Sequence, residues 1–225
     1  MGQTLTRTEK KAKTRSALLS SAAKLICRKG IIEASVEDVA ADAGYTKGAF
    51  YANFKSKEEL FLVMLDEKYA AELEQLESAI RGTESPAEDA RRAAEDFIRF
   101  AWSDPQWPKL YFEFTAYAAR NPEFRQELQT RDRRIRQQIA EIFRAWADDF
   151  GVEIPIPFED LAMMTFCMAN GFLMGQLIEP DLSEELYGTM AAIFFRGVAV
   201  SALGDDLEKL AEAQEASSRR GGAGR

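Results

Sequence analysis

The sequence predicts an all-α chain: a short N-terminal unit of three closely spaced helices, then a larger helical bundle, about nine helices in total. Three observations predict it. Apolar residues recur at helical spacing along the chain, with no run of strand-type alternation bounded by hairpin turns. Glycine and proline breaks cut that pattern into helix-sized pieces. Charge is split between the pieces: residues 1–57 hold 11 Lys+Arg against 5 Asp+Glu, and the remainder 18 against 32.

The first helix is expected from Arg7 or Thr14 to Lys29, with Leu18, Ala22, Leu25 and Ile26 on one face and Gly30 as a left-handed stop. Ser35 then reads as an N-cap, with Asp38 three residues on as a capping-box partner. Val36, Val39 and Ala40 form the stripe of a second helix, which Gly44 ends. Thr46 caps a very short third helix to about Ala52, with Phe50 and Phe54 turned into the core. Ser56 caps a long fourth helix whose first turn carries Glu58 and Glu59, as the helix dipole favours, and whose apolar side carries Leu60, Phe61, Met64, Leu65 and Leu73. It is expected to end near Gly82, where Gly-Thr-Glu-Ser-Pro (82–86) makes a linker-like break. Helices are expected near 86–102, 105–119, 122–150, 157–179 and 183–203. The domain boundaries that follow are 1–57 for the basic N-terminal arm and three-helix unit, 58–204 for the bundle, and 205–225 for a charged tail expected to be disordered.

Composition removes several function classes. There is no histidine, so Ser-His-Asp triads, Cys-His pairs and nearly every zinc constellation are excluded. The absence of a Glu-x-x-His pair excludes the helical di-iron carboxylate type of enzyme. No glycine-rich phosphate loop appears, and no catalytic residue, metal or cofactor is expected. Cys27 and Cys167 read as reduced core thiols, no apolar run approaches the roughly 18 residues of a membrane span, and a cytoplasmic location is expected. A net charge of −8 argues against a polyanion partner, but the basic N-terminal fifth on an acidic body is the asymmetry of a local nucleic-acid-binding module.

The run from Ser35 to Phe61 reads as a helix-turn-helix. Gly44 can take the positive φ of a sharp turn, and Gly48, Ala49 and Ala52 keep the third helix thin enough to approach a DNA groove. Its N-terminus presents free N–H groups towards phosphate, Lys47, Lys55 and Lys57 add charge, and Tyr51 and Asn53 add hydrogen-bonding tips. The stretch Gly44-Tyr-Thr-Lys-Gly-Ala-Phe-Tyr-Ala-Asn-Phe-Lys-Ser-Lys-Glu-Glu-Leu60 resembles the most characteristic segment of the tetracycline-repressor-like (TetR) regulators, over residues 14–65. The resemblance implies that Ser35, Tyr51, Lys55 and Lys57 hold phosphates. It implies that Tyr45, Thr46, Lys47, Ala49 and Ala52 face bases or their flanking backbone. Asn53 stands where that family often has histidine or tyrosine. The further expectation is a homodimer that binds a near-palindromic double-stranded operator, most simply a repressor released by a small molecule. Activation and control by a protein partner stay open.

The bundle resembles the family only in layout. Met168-Ala-Asn-Gly-Phe-Leu-Met-Gly175 is similar to the penultimate helix that, with the last one, forms a four-helix dimer interface in the family. Gly171 and Gly175, four apart, would admit a second helix, either a partner's or one of the same chain. Phe166, Phe194, Phe195 and Val198 supply apolar area to either use. Residues 97–177 are rich in aromatics and methionine, and an apolar pocket with a few polar groups is the usual small-ligand site. The candidates are Phe97, Phe100, Trp102, Phe114, Tyr117, Phe143, Met164, Cys167, Asn170 and Met174, for a largely apolar effector. The basic run Arg131-Asp-Arg-Arg-Ile-Arg136 reads as a solvated face paired with Glu127 and Glu141, or as an anion site.

Overall fold

In a computed structural model of the chain, residues 6–80, 92, 94–99, 103–104, 106–151 and 153–198 are described. Every regular element among them is helical. Helix α1 (Arg7–Glu33) opens at Thr6, whose hydroxyl accepts from Glu9 N–H while the Glu9 carboxylate accepts from Thr6 N–H. It therefore starts two turns before Thr14, and Arg7, Lys10 and Lys11 are exposed on that extension. Gly30 interrupts it at φ 83°, ψ 163°, a region essentially closed to side-chain-bearing residues, and Ile31–Glu33 resume after the kink. The Glu113 carboxylate accepts from Ile31 N–H at 3.0 Å and would lie 3.3 Å from a Cβ on Gly30.

Helix α2 (Val36–Asp42) begins at Ser35 with the reciprocal Asp38 box in place. Ser21, buried on α1, puts its hydroxyl within 3.0 Å of Val39 O and 2.8 Å of the Asp42 carboxylate, tying α2 to α1. Gly44 turns the chain at φ 77° into α3 (Lys47–Tyr51), capped by the Thr46 hydroxyl on Ala49 N–H. Phe50 and Phe54 are buried and pack ring to ring at 5.6 Å. Burial of each such ring contributes about 1.5–3 kcal/mol. Ser56 caps α4 (Lys57–Ile80) through Glu59 N–H.

Beyond α4 come the helical residues 94–99 (α5), then α6 (Trp107–Arg120), α7 (Pro122–Phe150), α8 (Phe158–Ile178) and the helical residues 184–198 (α9). Pro122 opens α7 at a position where its missing N–H costs nothing, and Gly151 ends it at φ 62°. One core cluster runs from Leu18 on α1 through Phe61 on α4 and Phe114 on α6 to Ile135 on α7, crossing the boundary expected at residue 57. Ile98, Ala169, Phe172, Leu173 and Tyr187 form a second cluster joining α5, α8 and α9.

Three expectations change. The stretch 161–178 carries no charge, so an apolar run of span length does exist, although Thr165, Asn170 and Gln176 interrupt it with polar groups bonded to backbone carbonyls. Cys167 is exposed on the outer side of α8, and only Cys27 is part-buried. Arg131 pairs with Asp66 at 2.9 Å and Glu127 at 2.7 Å, while Glu141 pairs with Arg144 instead of with the basic run.

Candidate nucleic-acid interface and cavity

The three-helix unit holds α3 by its apolar side and leaves the rest outward. Thr46, Lys47, Gly48, Tyr51, Ala52 and Lys55 are exposed, and Tyr45 and Ala49 are half-buried. The Lys47 ammonium meets the Glu37 carboxylate of α2 and stands 6.0 Å from the Tyr51 ring centroid. Both partners of that ion pair are exposed, so water and salt screen it and a stronger anion can displace Glu37. The Thr46 hydroxyl takes one of the free N–H groups at the start of α3, and the short element behind it is thin along Gly48, Ala49 and Ala52.

Three further candidates are engaged within the fold. Ser35 spends its hydroxyl on Asp38, donating to the carboxylate at 2.6 Å and accepting from Asp38 N–H at 3.1 Å. The same carboxylate is met by Lys29 at 2.6 Å, and the Lys29 and Ser35 contacts hold Asp38 down at a pKa of about 2. Asn53 donates from its side chain to Ala49 O at 2.8 Å, closing the end of α3, and its Oδ1 is buried. Lys57 places its ammonium 3.3 Å from both Ile31 O and Ile32 O, the carbonyls left open by the kink at Gly30. The sequence reading missed Arg15, whose guanidinium lies 4.6 Å over the Phe54 ring and donates to Asn53 O, bracing the C-terminal end of α3.

Helix α6 links this unit to the bundle. Besides the Glu113 contact with Ile31 N–H, the Tyr117 hydroxyl donates to the Glu58 carboxylate at 3.1 Å, in the first turn of α4. One turn away, Trp107 and Tyr111 of the same helix line a part-open cavity. Tyr69, Glu72 and Leu73 of α4, Phe143 and Trp146 of α7, and Thr165, Phe166 and Asn170 of α8 complete most of its wall.

Of the pocket candidates, Phe97, Phe143 and Asn170 line this cavity. Phe100 and Trp102 lie outside the described residues. Phe114 lies elsewhere, fully buried and stacked on Phe61 at 5.8 Å, and Tyr117 faces Glu58. Met164, Cys167 and Met174 point out of the bundle, because α8 is apolar on both sides and its outer side carries them. Glu72 was not anticipated, although an acid on the stripe Leu65, Tyr69, Glu72, Leu76 was a visible signal. It is 7% exposed, hydrogen-bonded by the Trp107 side chain, and its pKa is pushed up by burial to about 7.

The interface candidates divide similarly. Phe166 and Phe195 line the cavity, and Phe195 packs edge-on against Phe143 at 5.7 Å. Phe194 is half-buried against Phe195, and Val198 is half-buried. Gly175 is covered by the chain's own Leu182, which would lie 3.1 Å from an added Cβ, whereas Gly171 faces open space. A different set forms a continuous outer stripe: Met163, Met164, Met174 and Ile178 on α8, with Leu186, Met190 and Ile193 on α9, all exposed.

Residues 18–64 match the family described as bacterial regulatory proteins, tetR family, and residues 86–199 match the BetI-type transcriptional repressor C-terminal domain. The chain is 27% identical over 122 residues to the uncharacterized HTH-type transcriptional regulator YwcC of Bacillus subtilis, covering 52% of each protein. It is 31% identical over 99 residues to the HTH-type transcriptional activator FasR of Mycolicibacterium smegmatis, covering 44% of this chain and 45% of that one. The chain thus spans about half the length of the curated relatives it matches. Among solved structures, the regulator FadR of Bacillus subtilis in complex with stearoyl-CoA superposes with a TM-score of 0.67 at 16% identity, over 79% of this chain and 95% of that one.

Proposed function

The chain belongs to the tetR family of bacterial regulatory proteins, and from that membership we propose a homodimeric transcription regulator that grips operator DNA through α3 and releases it when a small molecule fills the cavity. The observation that carries this reading is the division of α3: Phe50 is wholly buried while Thr46, Lys47 and Tyr51 stand out from the surface. A helix held that way can enter a major groove without disturbing its own core.

The outer stripe of α8 and α9 supports the dimer. Met164, Cys167, Gly171, Met174 and Ile178 on one helix, and Leu186, Met190 and Ile193 on the other, are exposed every three to four residues, so two copies would bury them together under a twofold axis. Such a dimer would set two α3 helices one DNA turn, roughly 34–36 Å, apart or a multiple of it. The acidic body faces away from the phosphates, and the basic first 57 residues face them. Contacts from α6 to Ile31 and Glu58 give a filled cavity a route to the DNA-binding unit, and useful induction needs a coupling of about 1–3 kcal/mol. Repression is the simpler outcome of operator occupancy. The activator named among the relatives keeps activation as a second reading, on the same DNA contacts.

The test is binding of the full chain to duplexes tiled from its own upstream DNA, followed by fluorescence anisotropy. A tight, salt-sensitive preference for one near-palindromic fragment supports the reading. Equal weak binding to every fragment contradicts it.

A further inference from the structure

The first turn of α2 carries two acids with different duties. Asp38 is spent inside the three-helix unit, held by the Ser35 hydroxyl and the Lys29 ammonium, both at 2.6 Å. Glu37 beside it is exposed, and its carboxylate meets the Lys47 ammonium of α3. The Ser35–Asp38 box already closes the start of α2, so Glu37 is not needed as a cap. Next to a helix that meets phosphates, its charge opposes binding to any duplex.

Lys47 is the only charged residue of α3. Two groups flank its ammonium: the Glu37 carboxylate from α2, and the Tyr51 ring one turn on, with its centroid at 6.0 Å. The hydrogen bond between them holds the Glu37 carboxyl below its usual range and the Lys47 ammonium above its own. A lysine left alone swings on a flexible four-carbon stem and meets any phosphate as a point charge. Flanked in this way, Lys47 is fixed in direction before DNA arrives.

We infer that Glu37 is a specificity-determining residue, which holds the Lys47 ammonium aimed from the start of α3 at an acceptor on a base edge and away from the phosphates. This rests on the reading of α3 as the helix that enters the groove, and deepens it. An ammonium has three donors. A base edge such as guanine O6 and N7 can take two of them while Glu37 keeps the third. A phosphate takes Lys47 only by drawing it off Glu37, and it brings its own charge against the carboxylate that is left. The acid is therefore tolerated on the right sequence and costly on every other one.

The full chain, Glu37→Gln, Lys47→Ala and the double variant are titrated by fluorescence anisotropy onto two duplexes of about 30 base pairs, between about 50 and 200 mM salt. One duplex is the preferred upstream fragment and the other is its scrambled version. Both substituted side chains are exposed, so circular dichroism should be unchanged. Glu37→Gln should bind the scrambled duplex about two- to fivefold more tightly, the fold-change expected of one exposed ion pair. Its salt slope there should steepen by about 0.9, because a freed Lys47 neutralises one more phosphate. The preferred fragment should gain nothing, so the preference falls by the same two- to fivefold. In the Lys47→Ala background, Glu37→Gln should leave the preference where it was. The inference is overturned if Glu37→Gln keeps or raises the preference. It is also overturned if the preference falls equally with and without Lys47, which is plain charge repulsion. A chain that binds neither duplex at the lowest salt sinks the DNA-binding reading itself, whereas firm binding with an unmoved preference in Glu37→Gln sinks this inference alone.

Discussion

Replacing Ile193 with aspartate perturbs the proposed twofold interface at its most exposed described position on α9. Ile193 is 68% exposed in the single chain, so about two-thirds of its side chain awaits a partner. Full burial of such a side chain is worth about 1.5–3 kcal/mol, which leaves ~1–2 kcal/mol for the part still exposed. Symmetry doubles the loss to ~2–4 kcal/mol per dimer, and the desolvation of two carboxylates adds to it. At 1.4 kcal/mol per decade, dimer dissociation should weaken by roughly 30-fold to 1000-fold. Sedimentation equilibrium across a nanomolar to micromolar range would read this directly. Ile32 provides the control, because it is 63% exposed but lies at the end of α1, away from the stripe. Ile32→Asp should leave the association constant within about twofold. An Ile193→Asp chain that dimerises as tightly as the unaltered protein would refute the assignment of the α8–α9 stripe.

Other substitutions test single contacts. Lys57→Ala removes an ammonium that now caps Ile31 O and Ile32 O, so thermal stability should fall by about 1 kcal/mol. If Lys57 also holds a phosphate, affinity for specific and scrambled DNA should drop alike and the salt slope should flatten by about one, whereas a fall in Tm with an unchanged slope would restrict Lys57 to capping. Lys47→Ala should change which bases are preferred more than overall affinity, and parallel titrations on variant operators would expose an equal loss on all of them. Glu72→Gln tests a sign. The folded-state pKa of Glu72 lies above its ordinary value, so its contribution is most favourable below pH 4.5 and is lost as pH rises to about 7. A pH series of unfolding curves should show that decline in the unaltered chain and a shallower one in the variant, and identical slopes would contradict a buried, proton-holding carboxyl.

Local chemistry was readable in the sequence wherever one residue dictates one backbone event. Ser35, Thr46 and Ser56 each cap the helix expected of them, because a hydroxyl three residues before a free N–H has few other uses. Gly30 and Gly44 both take positive φ at the expected stops. Phe50 and Phe54, expected to turn into the core, are both buried. What failed was the choice of side on a helix that is apolar all round. Helix α8 buries Ala169, Phe172 and Leu173 but exposes Met164, Cys167 and Met174, and no periodicity in its sequence separates the two sets. Phe114 was misassigned for a related reason, since Trp107, Tyr111 and Phe114 share one side of α6 yet only the first two reach the cavity. Lys57 and Asn53 carry the right chemistry for DNA contact, and only coordinates reveal that each already has a backbone partner.

The measurement closest to the centre of this account is the affinity of the full chain for its upstream operator before and after substitution of Tyr51, which stands 51% exposed on α3 beside the Lys47 ammonium. Tyr51→Ala leaves the buried side of α3 untouched, so circular dichroism and dimerisation should be preserved while operator affinity falls by about tenfold or more. Undiminished operator affinity in a folded, dimeric Tyr51→Ala chain would mean that α3 is not the surface that meets DNA.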